Sequence, residues 1–343
     1  MICPHCAKSL LRKERTGRIC THCKGKFALE PKENSLRLHD VRMRELADKL
    51  SDGKRLAYTP PQLWYAALRN RVPPPEEGYG GCSCLLFVGL AIALFVLGYN
   101  DLIEDQEIVF AALFALLAVL LVGLVEFLLR RRAQRDGAHK LPMSLETFRT
   151  SVLPGWSTVY GAPPPGLVDE GHVRSPAPER PRIALACPDR GVLACLAANG
   201  VPEAYSMVLA ETVQQIPPGV PVIVLHDAAP AGLAFADGVR IACGERAVPA
   251  GLLPRVAIAH KSAFRLRTKP LAQSQRDWLR ATFPALTKEE HAWLAQGWWS
   301  PLAAVRPAQL LHAVTRAAER AEAQSDPELH QARASGFLTW PTA

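Results

Sequence analysis

The sequence predicts a multi-domain chain: a small four-cysteine metal module, a two-helix transmembrane hairpin, and an α/β domain built on a parallel sheet with C-terminal helices. Three observations predict it. Two Cys-x-x-Cys pairs lie near the amino terminus, two nearly charge-free apolar stretches occupy residues 82–129, and after Arg182 short apolar runs alternate with helical patterns. A length of 343 residues fits two or three units at ~100 to 200 residues each. A composition 49% hydrophobic and 21% charged excludes wholesale disorder. Forty Lys and Arg against 32 Asp and Glu give +8, and 16 of those bases face only 9 acids before Gly78. This local basic excess suits anionic lipid, nucleic acid or an acidic partner, and charge alone does not choose among them.

Cys3-Pro4-His5-Cys6 and Cys20-Thr21-His22-Cys23 place two thiolate pairs thirteen residues apart in residues 1–30. Each pair can turn both thiolates toward one tetrahedral ion. The pattern resembles the zinc ribbon family, with a spacer slightly shorter than usual. The resemblance implies a structural Zn²⁺ held by Cys3, Cys6, Cys20 and Cys23, with a hairpin over residues 8–19 that turns at Thr16-Gly17. Four thiolates leave no position open for water, so such a metal is structural. A redox Cys-x-x-Cys is the competing reading. Nine cysteines, an odd number with two tight pairs, do not suggest a secreted disulfide scaffold. Lys8, Arg12, Lys13, Arg15, Arg18, Lys24 and Lys26 surround the module against a single acid, Glu14. They permit phosphate contacts with nucleic acid or anionic headgroups, although only Phe27 is present for base stacking.

Residues 31–71 read as a helical pair. Ser35 caps a first helix with Leu36, Met43, Leu46, Ala47 and Leu50 on one face, and Thr59-Pro60-Pro61-Gln62 opens a second with Leu63, Trp64, Ala67 and Leu68. Tyr65 reads as a core or interface tyrosine, with a nucleophilic role as the alternative. Residues 72–81 form a linker.

Residues 82–99 carry no charge, and residues 108–129 carry only Glu126. Each is long enough to cross a hydrocarbon core, which needs ~20 helical residues. The acidic loop 100–107 and the basic run Arg130, Arg131, Arg132 and Arg135 predict a two-pass protein of the plasma (inner) membrane with both termini cytoplasmic and the bilayer as partner. High Ala and Arg usage points to a bacterial source. Residues 130–160 form a juxtamembrane segment, and 161–181 a Pro-rich linker.

In residues 182–270, the runs 183–187 and 220–225 read as buried strands, each followed by a small-residue helix (191–199 and 232–238), and 255–260 reads as a further strand. The alternation predicts a parallel, Rossmann-like sheet with ligands beyond the strand carboxyl ends, near residues 187–190 and His226-Asp227. No glycine-rich dinucleotide or phosphate-loop pattern is present. The stretch 183–240, through its strand-turn-helix and His226-Asp227-Ala228-Ala229-Pro230-Ala231-Gly232, resembles the toprim fold of primases, topoisomerases and related nucleases. That family gathers Mg²⁺ on a Glu and an Asp-x-Asp. Here Cys187 stands in place of the Glu and Ala229 replaces the second Asp, so Asp227 remains with Asp189 as its neighbour, and the resemblance implies a degenerate, noncatalytic domain.

Arg265, Arg267 and Lys269 alternate and would share one face of an edge strand, with Lys261 in register, either as a phosphate-contacting stripe or as a charge-protected edge. In the helical part, residues 271–343, Thr287-x-x-Glu290 caps a helix ending at Gly297, Pro307 opens a helix carrying Leu310, Leu311, Val314 and Ala318, and Asp326-Pro327 opens a third. Trp278, Trp293, Trp298, Trp299 and Trp340 anchor these helices or form a protein-partner groove.

The expected function is binding: a membrane-anchored scaffold or sensor. The alternatives are a membrane-tethered metal-dependent nuclease or phosphotransferase using Asp227 and the Arg265/Arg267 stripe with Mg²⁺, and nucleic-acid recruitment through the ribbon.

Overall fold

The computed structural model describes residues 1–72, 123, 138–175 and 177–325. Each cysteine turn closes its own small β-bridge, Ile2–Ser9 around Cys3/Cys6 and Ile19–Lys26 around Cys20/Cys23. The expected hairpin over 8–19 is instead a tight helical turn at Arg12–Arg18, with Gly17 at φ +66° where the chain reverses. Helix α1 (Asp40–Leu50) starts later than Ser35. Asn34 explains the delay: its side chain donates to the Glu30 and Leu38 carbonyls and accepts from the Leu38 amide, tying residues 30–38 into a loop. Helix α2 (Pro60–Leu68) opens at Thr59 as expected, with the Thr59 N–H donating to Gln62 Oε1 at 2.9 Å. A π turn at Phe148–Val152 leads into α3 (Leu153–Tyr160), ended by Gly161 in the left-handed region. Phe148, Val152 and Trp156 pack into one core with Met43, Leu46, Leu63 and Trp64.

The α/β domain follows as β1 (Ile183–Ala186), α4 (Arg190–Ala198), β2 (Met207–Ala210), β3 (Val222–Val224), α5 (Pro230–Cys243) and β4 (Ala247–Pro249). The four strands are parallel in the order β2-β1-β3-β4. Strand alternation sorts the two faces. Ile183 and Leu185 join α4 and the later helix over Pro307–Ser325 in one core, while Ala184 and Ala186 pack with Val239 and Cys243 of α5 on the other. Two of the strands, β2 and β4, were not anticipated. The run 255–260, expected as a strand, is helix α6 (Pro254–Ala259), because Pro254 takes the first helical position. Strand β5 (Leu266–Arg267) pairs antiparallel with β6 (Trp298–Trp299); between them lie α7 (Gln273–Thr282) and α8 (Lys288–Ala295), and α9 (Pro307–Ser325) follows.

The amino-terminal helices and the sheet are joined directly. Asn199 at the end of α4 holds Ala57 by both its N–H and its carbonyl, each at 2.9 Å. Residues of the Pro-rich segment 161–181 also contribute, since Tyr58 N–H donates to the Gly166 carbonyl and Val168 N–H to that of Tyr58.

The expected transmembrane hairpin is corrected. Among the described residues no helix is long and apolar enough to cross a membrane. The fold class is thus a cysteine module and helices joined to a parallel-sheet α/β domain, and the two-pass inner-membrane placement with cytoplasmic termini is not carried by the structure. Residues 82–99 and 108–129, apart from Gly123, lie outside the described residues, as do Trp340 and the helix expected at Asp326-Pro327.

Candidate metal centre and ligand crevice

The four amino-terminal cysteines come together: their sulfurs all lie within 4.8 Å of one another. Cys3 Sγ is 3.8 Å from Cys23 Sγ, and Cys6 Sγ is 3.8 Å from Cys20 Sγ. A tetrahedron with ~2.3 Å metal–sulfur bonds has edges of about 3.8 Å, so the arrangement could hold a metal ion. The two turns are built alike. The residue after each second cysteine, Ala7 or Lys24, is left-handed and donates to the carbonyl of Cys3 or Cys20. His5 is exposed and reaches across to the other turn, its Nε2 2.8 Å from the Lys26 carbonyl. The Cys23 amide, seconded by that of His22, holds the Cys20 thiol down to about 7 against desolvation. Cys23 receives the Gly25 amide, but desolvation and the three neighbouring sulfurs push it up to about 11.

A second site lies at the carboxyl ends of β1 and β3. In a sheet ordered 2-1-3-4, connections leave these two strands in opposite directions, so a crevice opens between them. It has a volume of about 550 Å³ and is lined by Pro188 after β1, Asp227 after β3, Ala231 and Gly232 of α5, and Trp298 and Trp299 of β6. Gly232 is required there: a Cβ would lie 2.3 Å from the Asp227 carbonyl oxygen. The tryptophans are brought in by a bridge in which Ala228 and Ser300 exchange backbone hydrogen bonds at 3.0 and 3.1 Å.

Asp227 is anchored by the Leu302 N–H, which donates to Oδ1 at 2.7 Å. Burial pushes its carboxyl up to about 6 against that bond, and the Asp189 carboxylate adds to the rise. Asp189 caps α4 by accepting from the Val192 N–H, and burial raises it as well. The same two charges, after desolvation, raise the Tyr65 hydroxyl, which places Tyr65 near both acids. His226 does not pair with the Asp227 carboxylate. Its Nδ1 donates to the Asp227 carbonyl at 2.8 Å, and burial lowers its pKa. Cys187 is fully buried, and burial drives its thiol far up.

The guanidinium groups of the Arg265/Arg267/Lys269 stripe are engaged by backbone carbonyls. Arg265 donates to the Ala257, Ile258 and His260 carbonyls and so caps the end of α6. Arg267 donates to the Gln296 carbonyl and lies over the Trp298 ring at 5.4 Å. Lys269 is exposed. The sequence reading missed Trp298, Trp299 and Leu302 as partners of Asp227; the small-residue turn Ala228–Gly232 is the one local signal that something approaches that backbone closely. No family model matches the chain, and no curated protein or solved structure matches it either, so the toprim resemblance gains no support from these comparisons.

Proposed function

We propose that the protein is a ligand-binding scaffold or sensor, with a structural Zn²⁺ on Cys3, Cys6, Cys20 and Cys23 and a small ligand in the crevice between β1 and β3. The observation that carries this reading is the crevice itself: it lies at the point where parallel sheets take their ligands and has the usual size of a small-molecule site. Its walls favour a planar ligand bearing an uncharged polar group. Trp298, Trp299 and Phe235 supply apolar faces, and the first turn of α5 presents backbone N–H groups.

A degenerate toprim-like catalytic site is the weaker reading. Magnesium-assisted phosphoryl chemistry needs clustered carboxylate oxygens, whereas Asp227 is committed to Leu302 and Asp189 to the start of α4. The test is mass spectrometry of small molecules that copurify with the full chain, compared with Ala231→Trp, which fills the crevice from an exposed helix position. A ligand present with the native chain and lost from the folded variant supports the reading. Its absence from both, together with no thermal shift across a library of planar polar compounds, refutes it.

A further inference from the structure

A larger recess, of about 850 Å³, lies beside the cysteine module, independent of the crevice. Arg15, Lys32, Arg37 and Arg71 line it, with Glu33 as the carboxylate among its walls. Glu33 is already engaged, accepting from Arg18 Nε at 3.1 Å and Nη2 at 2.8 Å. The side chains of Lys32, Arg37 and Arg71 have no hydrogen-bond or ion-pair partner among the described residues, and all three are exposed. Arg15 differs. It is only 8% exposed, its Nη2 lies 3.3 Å from Glu30 Oε1, and its Nε and Nη1 have no acceptor. A buried guanidinium with unused donors is costly.

We propose that this recess binds a small phosphorylated anion, its oxygens shared by Lys32, Arg37 and Arg71 at the mouth and by Arg15 in the wall. Forked guanidinium donors match the several oxygens of a phosphoryl group and contribute charge-assisted bonds. His39 adds no charge: it caps α1, its Nδ1 accepting from the Arg42 N–H, and desolvation lowers its pKa. The wall has no Trp, Tyr or Phe on which a base could stack, which favours a small ligand over a single-stranded nucleic acid. Arg15 lies in the Arg12–Arg18 turn between the two cysteine pairs, so the metal that orders that turn also positions the anion site.

Isothermal titration of the full chain with inorganic pyrophosphate at low salt tests this. The expected result is saturable 1:1 binding, weakened about tenfold or more in Arg37→Ala/Arg71→Ala with the melting temperature unchanged. Arg15→Lys, which keeps the charge and loses the fork, should also weaken binding. A single-stranded oligonucleotide forms the comparison arm. The proposal is overturned by no pyrophosphate binding up to about 10 mM, by equal binding in the double variant, or by binding of the oligonucleotide alone.

Discussion

Asp227 is held in a place that disfavours its charge. Its Oδ1 must accept from Leu302 to fix the connection after β6, yet burial raises its pKa from 3.8 to about 6. The folded state therefore binds the proton more tightly than the unfolded state, and this residue's contribution to stability falls as pH rises from about 4 to about 6. Asp227→Asn keeps the acceptor and removes the charge. It should match the native chain near pH 4 and be more stable at pH 8 by up to about 3 kcal/mol, read from urea midpoints at both values. A variant no more stable at pH 8 would show the carboxylate to be neutralised by a partner. The neighbouring Gly232 presents a steric limit instead. Because its Cβ would meet backbone and not a movable side chain, Gly232→Ala should lower stability by about 2–4 kcal/mol at any pH, a difference that separates packing from charge.

At the scale of elements, helix starts were the most legible feature and strands the least. Thr287 with Glu290 forms the reciprocal cap that its spacing predicts, and at Thr59 the Gln62 side chain forms its half of the box by accepting from the Thr59 N–H. The signal is local, so no distant residue had to be known. Strands β2 and β4 are four and three residues long, and β4 ends in Pro249, so neither offers a period to count. The run 255–260 fails for the same reason, since a short apolar run fits either element. The four-cysteine cluster was legible because its spacing alone specifies it; the crevice was not, because Trp298 and Leu302 reach Asp227 only through tertiary pairing. Glu290 shows what local reading omits. Beyond its own cap, where it accepts from Thr287 N–H at 2.8 Å, its other oxygen accepts from the Arg255 N–H in the first turn of α6 at 3.0 Å. One buried carboxylate thus serves two helix starts. Thr287→Ala should cost about 1 kcal/mol and Glu290→Ala about 3 kcal/mol, with the larger loss of hydrogen-exchange protection extending into α6 only in the Glu290 variant.

At the scale of the whole molecule, the cysteine module can draw stability from a metal held by its four thiols and from its neighbours. Its own buried cluster is Cys3, Leu10 and Cys20, which can supply only a few kcal/mol at ~25 cal/mol per Å². Zinc on four thiolates contributes about 10–16 kcal/mol in isolated modules, so an ion of that kind held here would outweigh the apolar cluster. The neighbours add directional contacts: Arg44 donates to the Pro4 carbonyl at 3.1 Å and lies over the Tyr160 ring, and Tyr160 donates to Asp40. Asp40 in turn accepts from the Ala28 and Leu29 amides, both at 2.8 Å, fixing the chain where it leaves the module. The sheet shares none of these bonds. Treating the full chain with a chelator should therefore release one equivalent of zinc, measured by elemental mass spectrometry, and abolish amide protection across residues 3–26. Protection at Ala28 and Leu29 should fall less, because α1 and Tyr160 still hold Asp40, while β1 and β3 should stay unchanged. Collapse of protection in β1 and β3 along with residues 3–26 would mean that module and sheet unfold as one unit, and that the metal stabilises the whole fold.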